Sequence, residues 1–487
     1  MKQKLIYIIL MFSLFSCDDF ITLQPEDTIN EGMFFKTSDD YETALIGIYS
    51  GLQSIHGGSN LMYISELMSD NHTIWWTSPT TNEMECNEAN ITTTNGFVNS
   101  VWTVCYAGIS RCNNILTRID QANFSDALKS QYKGEALFLR AYFYFYLVRL
   151  FGDIPLIEVA FRSPAEIADF DMTRKPVQVI YQRIINDLKD ADNLLKNVSG
   201  LSKSKASAGA VKALLGKVYL TQKEYAAASE VLSSVMGMNY ALLTDYSKLF
   251  SVGNNQLAES IFEVNFLSGN IGEGNSYSTI FNPGIFNMDI FPGGMIGHGT
   301  IVPTRDFANA YEKNDLRRWA ILDSIKLTDG TYQHDLGARK FVDFTTGISG
   351  DGGVNFTALR YADVLLMKAE ALNEIGFEAD GEAFDLLNQV RSRAGLPDKT
   401  ANNPVDSLKV ANQIDFRLAI EIERRVEFVF EQQRWFDLIR TGRALTVVNN
   451  YFKNAGLNFT LEEYELLLPI PQAERDVTPE LGQNTGY

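Results

Sequence analysis

The sequence predicts a mainly α-helical fold, a scaffold of antiparallel helices carrying long loops and minor β hairpins, and three observations point to it. Apolar residues recur at three-to-four spacing over most of the chain. One internal pattern has the spacing of tightly paired helices. Only the stretch 251–356 replaces that periodicity with short β-like runs and clustered glycines. By length alone, 487 residues allow two or three domains, but no Pro-, Ser- or Gly-rich linker divides them. The expected organisation is a leader over 1–16, a tether over 17–36 and a single domain over 37–487. That domain is read as a helical part (37–250), a loop-rich insertion (251–356) and a second helical part (357–487).

The N-terminus reads as a signal peptide: Lys2 and Lys4, an apolar run from Leu5 to Leu14, then Phe15-Ser16-Cys17. The run is roughly half the ~20 residues that span a bilayer, and Asp18-Asp19 follow at once. LFSC resembles a bacterial lipobox, so Cys17 is expected to be cleaved, acylated and anchored in the lipid bilayer; several acyl chains hold where one does not. The chain carries 60 acidic and 42 basic residues, and losing Lys2 and Lys4 with the leader moves the formal net charge from −18 to −20. Such a surface repels nucleic acid, which is excluded as a partner. Of the other cysteines, Cys105 and Cys112 lie seven apart in one helix, about 10.5 Å, beyond the ~7 Å limit for a disulfide. With Cys86 they are expected to be small buried hydrophobes.

Along the mature chain, Thr37 can cap a helix with Tyr41, Leu45, Ile48 and Leu52 on one face. A second helix follows Phe97. A third starts at a Ser125 cap and runs to Gly152, and its second half, FLRAYFYFYLVRLF, is apolar nearly all round, so it must be buried on every side. In LLGKVYLTQKEYAAASEVL (214–232), Leu215-Gly216, Tyr219 and Ala228 reproduce tetratricopeptide spacing, Gly216 letting two helices approach. A looser copy spans Arg360 to Arg393, with Asp380 expected to cap its second helix and Gly395 and Pro397 to stop it. One helix is expected from Gln413 to Arg440, with Ala419, Ile422, Val426 and Val429 as its apolar stripe and Glu421–Arg425 as an i,i+4 pair. Arg140 and Glu135, on the buried third helix, are expected to satisfy partner groups.

Several segments occur in a fixed order: GEALFLRAYFYFYLVRLFGDIPL, RYADVLLMKAEALNEIG, LNQVRSRAGLP, IERRVEFVFEQQRWFDLIRTG, LLPIPQAE and a final GQNTGY. Together these resemble the SusD/RagB family over nearly the whole mature chain. Asp363, Gln432 and Thr485 depart from its usual pattern at positions that concern local packing. The resemblance implies a surface lipoprotein of a Bacteroidetes-type bacterium, built on tetratricopeptide repeats. It would close over a SusC-type TonB-dependent outer-membrane transporter and capture a glycan or, in some members, a peptide. It also implies that Asp18-Asp19 serve as a surface-export signal.

Nothing in the pattern asks for catalysis. His56, His72, His298 and His334 are scattered with no metal spacing, and neither a metal nor a cofactor is expected. There is no G-x-S-x-G elbow, phosphate loop or dinucleotide fingerprint, and with 60 acidic residues a chance carboxylate pair of glycosidase spacing means nothing. A hydrolase is therefore the weakest alternative, behind a peptide- or glycopeptide-capturing lid. A sugar site needs flat aromatic faces beside polar groups. SDNHTIWWTSPTTNE (69–83) provides them, with Trp75 and Trp76 adjacent in a polar loop and Asn71 as a polar partner. Neighbours in extended chain point opposite ways, so one indole is expected to meet ligand and the pattern does not say which. Tyr277 and Phe281, in the glycine-rich region, are further candidates. Trp102, Trp319 and Trp435 are expected to be internal.

Overall fold

The computed structural model describes residues 34–58, 60–284, 291, 297–326 and 330–487. The leader, Cys17 with its expected lipidation, and most of the tether lie outside these residues. The described chain is a mainly helical, tetratricopeptide-like scaffold with a few two-stranded ladders.

Helix α1 (Ser38–His56) opens on a capping box in which Thr37 and Asp40 satisfy each other's backbone N–H, and it buries Tyr41, Leu45, Ile48 and Leu52. Two short helices, α2 (Leu61–Leu67) and α3 (Thr81–Asn87), follow. Helix α4 (Gly96–Arg118) and helix α5 (Asp126–Phe151) form the centre. The Ser125 hydroxyl caps α5, and Gly152 ends it at φ 72°, where a side chain would be strained. Every residue of α5 from 134 to 148 is buried, because α1, α4 and α6 (Val177–Leu195) pack around it. The approach to α4 is close: a Cβ on Gly108 would lie 2.4 Å from the Phe143 ring. Arg140 answers Asp187 on α6 with two bonds of 2.7 and 2.8 Å and Asn113 on α4 with a third, while Glu135 accepts from Tyr49 and Gln131. Cys86, Cys105 and Cys112 are free and buried. Burial pushes all three thiols up, out of the range of a reactive thiolate.

Helices α7 (Ala208–Thr221) and α8 (Tyr225–Met236) are the first paired repeat, and α9 (Tyr361–Ile375) with α10 (Glu382–Arg393) the second. A Cβ on Gly216 would sit 2.5 Å from Leu232, so only glycine permits this crossing. Helix α9 packs on α8, stacking one repeat on the other. Asp380 does not cap α10. Gly381 holds the N-cap position, and Asp380, at φ 55°, accepts instead from the Ala401 N–H.

The helix expected over 413–440 is broken. Helix α11 (Gln413–Glu427) and helix α12 (Arg434–Arg440) flank a left-handed turn with Phe430 at φ 64° and Gln432 at φ 57°. Nor does its apolar stripe face inward throughout, since Ile422 is 49% exposed. The inward face instead carries Glu423, Arg424 and Glu427, drawn in by guanidiniums from distant elements: Arg317 reaches Glu423 at 2.6 Å and Glu427 at 3.0 Å, and Arg360 reaches Glu427 at 2.6 Å. Glu421 and Arg425 do not pair. Glu421 meets Arg443 at 2.9 Å, and Arg425 meets Asp70 and Asp306. Helix α13 (Ala444–Asn454) completes this end.

Strand β1 (His72–Thr73) pairs antiparallel with β3 (Val302–Pro303), and β2 (Ser260–Val264) with β4 (Phe356–Arg360). The β2–β4 ladder ties together the two ends of the loop-rich stretch between them. Among the described residues no helix is long and apolar enough to cross a membrane.

Candidate functional site

The segment 68–80 leaves α2 and enters α3, and its two ends are fixed in different ways. At the first, Asp70 is 3% exposed and holds Arg434 through bonds of 2.7 and 3.0 Å and Arg425 at 2.8 Å. Burial by itself would raise the Asp70 carboxyl, but the two guanidiniums outweigh it and hold the group below the usual carboxylate range. His72 is buried with its Nδ1 2.9 Å from Glu66, whose other oxygen accepts from the Gln432 N–H. At the second end, Thr80 and Glu83 form the capping box of α3.

Between these anchors the chain is extended. Thr304 donates its N–H to the Asn71 carbonyl at 2.8 Å, β1 pairs with β3, and the Trp75 N–H reaches the Gly299 carbonyl at 2.9 Å. The loop is thereby clamped onto residues 299–304, which the chain reaches more than 220 residues later. At its crest stand Trp75 and Trp76, both half-buried. The Trp76 indole N–H donates to the Ser78 carbonyl at 2.9 Å, and its ring lies 5.3 Å from that of His298. Trp75 instead walls a cavity of about 430 Å³ that reaches Arg305 and, on α13, Tyr451. Two half-buried indoles on a clamped loop, with imidazole, guanidinium and hydroxyl groups beside them, can stack on flat apolar faces and hydrogen-bond around their edges.

The other sequence candidates are interior. Asn71 is 1% exposed, and its amide oxygen is occupied by Arg425 Nε at 2.8 Å, so it braces the loop and does not face solvent. Tyr277 and Phe281 are fully buried, four apart on a helical turn with their rings stacked 5.4 Å apart. The Tyr277 hydroxyl donates to the His56 carbonyl, and burial pushes that phenol well above its usual range. Trp102 and Trp435 are buried, and Trp319 is half-buried against Tyr246. His298, Arg305 and Tyr451 were not linked to the aromatic pair in sequence because they lie more than 220 residues from it; the β1–β3 pairing brings the first two near, and α13 brings Tyr451 to the same cavity.

A second cleft, of about 350 Å³, lies where α7, α9, α11 and α12 meet. Most of its charges are held in pairs, Arg440 with Glu370 and Asp437, and Arg417 with Glu374. It is a packing seam held by ions. Among the described residues no group of three or more His, Cys, Asp or Glu is arranged to hold a metal.

Two family models match the chain, one described as "SusD family" over residues 330–487 and one as "Starch-binding associating with outer membrane" over residues 26–220. Among curated proteins, SusD-like protein P2 of Formosa agariphila is 28% identical over 515 residues and covers all of both chains. The starch-binding protein SusD of Bacteroides thetaiotaomicron is 25% identical, over 76% of this chain and 75% of its own. Among solved structures, a laminarin-binding SusD-like protein superposes with a TM-score of 0.77 at 28% identity, covering 93% of this chain and 100% of that one. The surface glycan-binding protein A of Bacteroides thetaiotaomicron, in complex with laminarihexaose, gives 0.73 at 22% identity over 92% and 99% of the two chains.

Proposed function

Because the chain belongs to the SusD/RagB family, we propose that it is a cell-surface lipoprotein which captures a glycan on the Trp75–Trp76 loop and delivers it to a SusC-type TonB-dependent transporter. One observation carries the reading: the half-buried indole pair rides on a loop clamped at both ends. A pyranose offers an apolar C–H face and a ring of hydroxyls, and an immobile indole meets that face at low entropic cost. Relatives named for starch and laminarin binding support the same ligand class. Association with the outer membrane accords with the family description. Acylation at Cys17 would fix the chain to that membrane, while the tether of about 20 residues, up to ~70 Å when extended, would leave it free to move over a transporter.

We read the protein as a binder and not an enzyme. The carboxylates most suggestive of acid–base chemistry, Glu423, Glu427 and Glu431, are buried and bonded to Arg317, Arg360 and Lys340. Structural ion networks mimic catalytic ones in this way.

Native-gel retardation against a broad glycan panel tests the proposal, using the leaderless Cys17→Ala chain. At least one glycan should retard the wild-type binding domain, and Trp76→Ala should relieve that retardation. A glycan still bound equally well after Trp75→Ala and Trp76→Ala would refute the site, and release of hydrolysis products would refute the absence of catalysis.

A further inference from the structure

The two indoles have different neighbours, which divides the site. Trp76 lies against His298 on the loop crest. Trp75 faces a separate hollow of about 430 Å³ between the β1–β3 ladder and α13, with Pro303 and Tyr451 as further walls and Arg305, Asp335 and Asn454 among the polar groups lining it. That volume is at the small end of the range that admits a small-molecule ligand, and it is far too small for a length of polysaccharide. Its chemistry is nonetheless that of a sugar site, with two aromatic side chains from different elements and hydrogen-bonding groups between them.

The polar groups are also held in place. A guanidinium has five N–H donors, and Arg305 spends one on the His334 carbonyl at 2.9 Å, which fixes its position at the cavity. Asp306 is neutralised by Arg425 at 2.7 Å, the residue that also grips Asp70 and Asn71. The hollow therefore shares its bracing with the aromatic loop, and the backbone bond from Trp75 to Gly299 fixes the main chain of the residue whose indole walls it.

We propose, building on glycan capture by this loop, that the Trp75–Tyr451 hollow is a pocket for one protruding pyranose. That sugar is either a single-unit branch or the chain end, and the main chain of the glycan runs across Trp76 and His298. The division of labour is specific. Trp76 supplies affinity for any chain of the right type, and the Trp75 pocket selects chains that have a sugar to insert.

Calorimetric titration of the leaderless Cys17→Ala chain tests this with linear hexaoses of glucose (both laminari- and malto-linked), mannose and xylose. Each is used free, with its non-reducing end capped, and with a single glucosyl or galactosyl branch. For the glycan that binds, Trp75→Ala and Tyr451→Leu should each weaken the branched or the free-ended form at least tenfold more than they weaken the capped linear form. Loss confined to the branched form identifies a branch as the inserted sugar, and loss confined to the free-ended form identifies the chain end. Trp76→Ala should weaken all three forms together. Because Tyr451 lies on a different element, agreement between its variant and Trp75→Ala separates pocket loss from loosening of the loop. Equal weakening of all forms by Trp75→Ala, or none, overturns the pocket while leaving capture on the loop standing. A wild-type chain that binds no form of any glycan overturns both.

Discussion

Replacing Glu427 by glutamine is expected to lower stability by about 3–5 kcal/mol, the usual result of removing one partner from a buried ion cluster, without changing the affinity of the folded protein for its glycan. Glu427 is 0% exposed and is the common acceptor for three guanidiniums, Arg317 at 3.0 Å, Arg360 at 2.6 Å and Arg393. Glutamine keeps the shape and removes the charge, leaving three buried cations with one carboxylate fewer. With an unfolding entropy of about 2 cal/mol/K per residue, a loss of that size in a chain this long corresponds to roughly 3–5 °C in Tm.

The pH dependence gives a second check. Burial pushes the Glu427 carboxyl up, but Arg393, Arg360 and Arg317 outweigh this and hold it well below the usual range. A folded pKa below the unfolded value of about 4.3 means the stabilisation is complete above that value and fades as pH falls through the folded one. The gap in Tm between wild type and Glu427→Gln should therefore be constant from pH 8 to about pH 5.5 and narrow below about pH 4. Thermal unfolding followed by circular dichroism across that range measures it. A shift under 1 °C at pH 7, or a gap that widens in acid, would show that the cluster does not stabilise the fold as argued.

Gly108→Ala should cost about 1–3 kcal/mol in urea unfolding, because its Cβ would meet the Phe143 ring at 2.4 Å. Gly47→Ala, on α1 with nothing within 4 Å of the new Cβ, should gain about 0.5–1 kcal/mol. Asp70→Asn should red-shift the tryptophan emission and weaken glycan binding severalfold, since it loosens the grip of Arg434 and Arg425 on the aromatic loop; unchanged emission with unchanged affinity would contradict that. Cys17→Ala should abolish retention at the cell surface, measured by fractionation, and leave the affinity of the soluble chain as it was.

What could be read from the sequence depended on how local its cause was. Thr37, Ser125 and Gly152 bound their helices through contacts within four residues, so those limits were visible in the pattern. Gly216 was visible because one small residue at repeat spacing has one use. The break after Glu427 was not, since Phe430 and Gln432 adopt left-handed backbone in response to Glu66, His72 and Phe281 from far upstream. Ile422 was assigned inward by periodicity and faces outward, because Glu423 and Glu427 must reach Arg317 and Arg360, and three buried ion pairs outweigh one exposed isoleucine. In the site, Trp75 and Trp76 stood out as aromatics in a polar loop. Asn71, Tyr277 and Phe281 looked alike in sequence and are interior, because polarity and glycine content do not say which way a chain turns.

The charged motif of α11 and α12 and the aromatic loop, which look unrelated in sequence, form one construction. Asp70 belongs to the loop, yet its two partners, Arg425 and Arg434, lie more than 350 residues away on those helices. Arg425 continues to Asn71 and to Asp306, beside the Trp75 cavity, and Arg434 continues to Glu421 and through it to Arg443. Binding by a few aromatic faces gains most when those faces do not have to be ordered on contact, and a loop of thirteen residues between two short helices cannot order itself. On the proposed site, the ion pairs would bear on affinity without touching ligand, by carrying the rigidity of the helical scaffold into the loop that holds Trp75 and Trp76. Variants of Arg425, the more exposed of the two, should accordingly behave as weakened binders with an intact fold, in contrast to variants of the buried Arg434, Arg317 or Arg360, which should lose stability first.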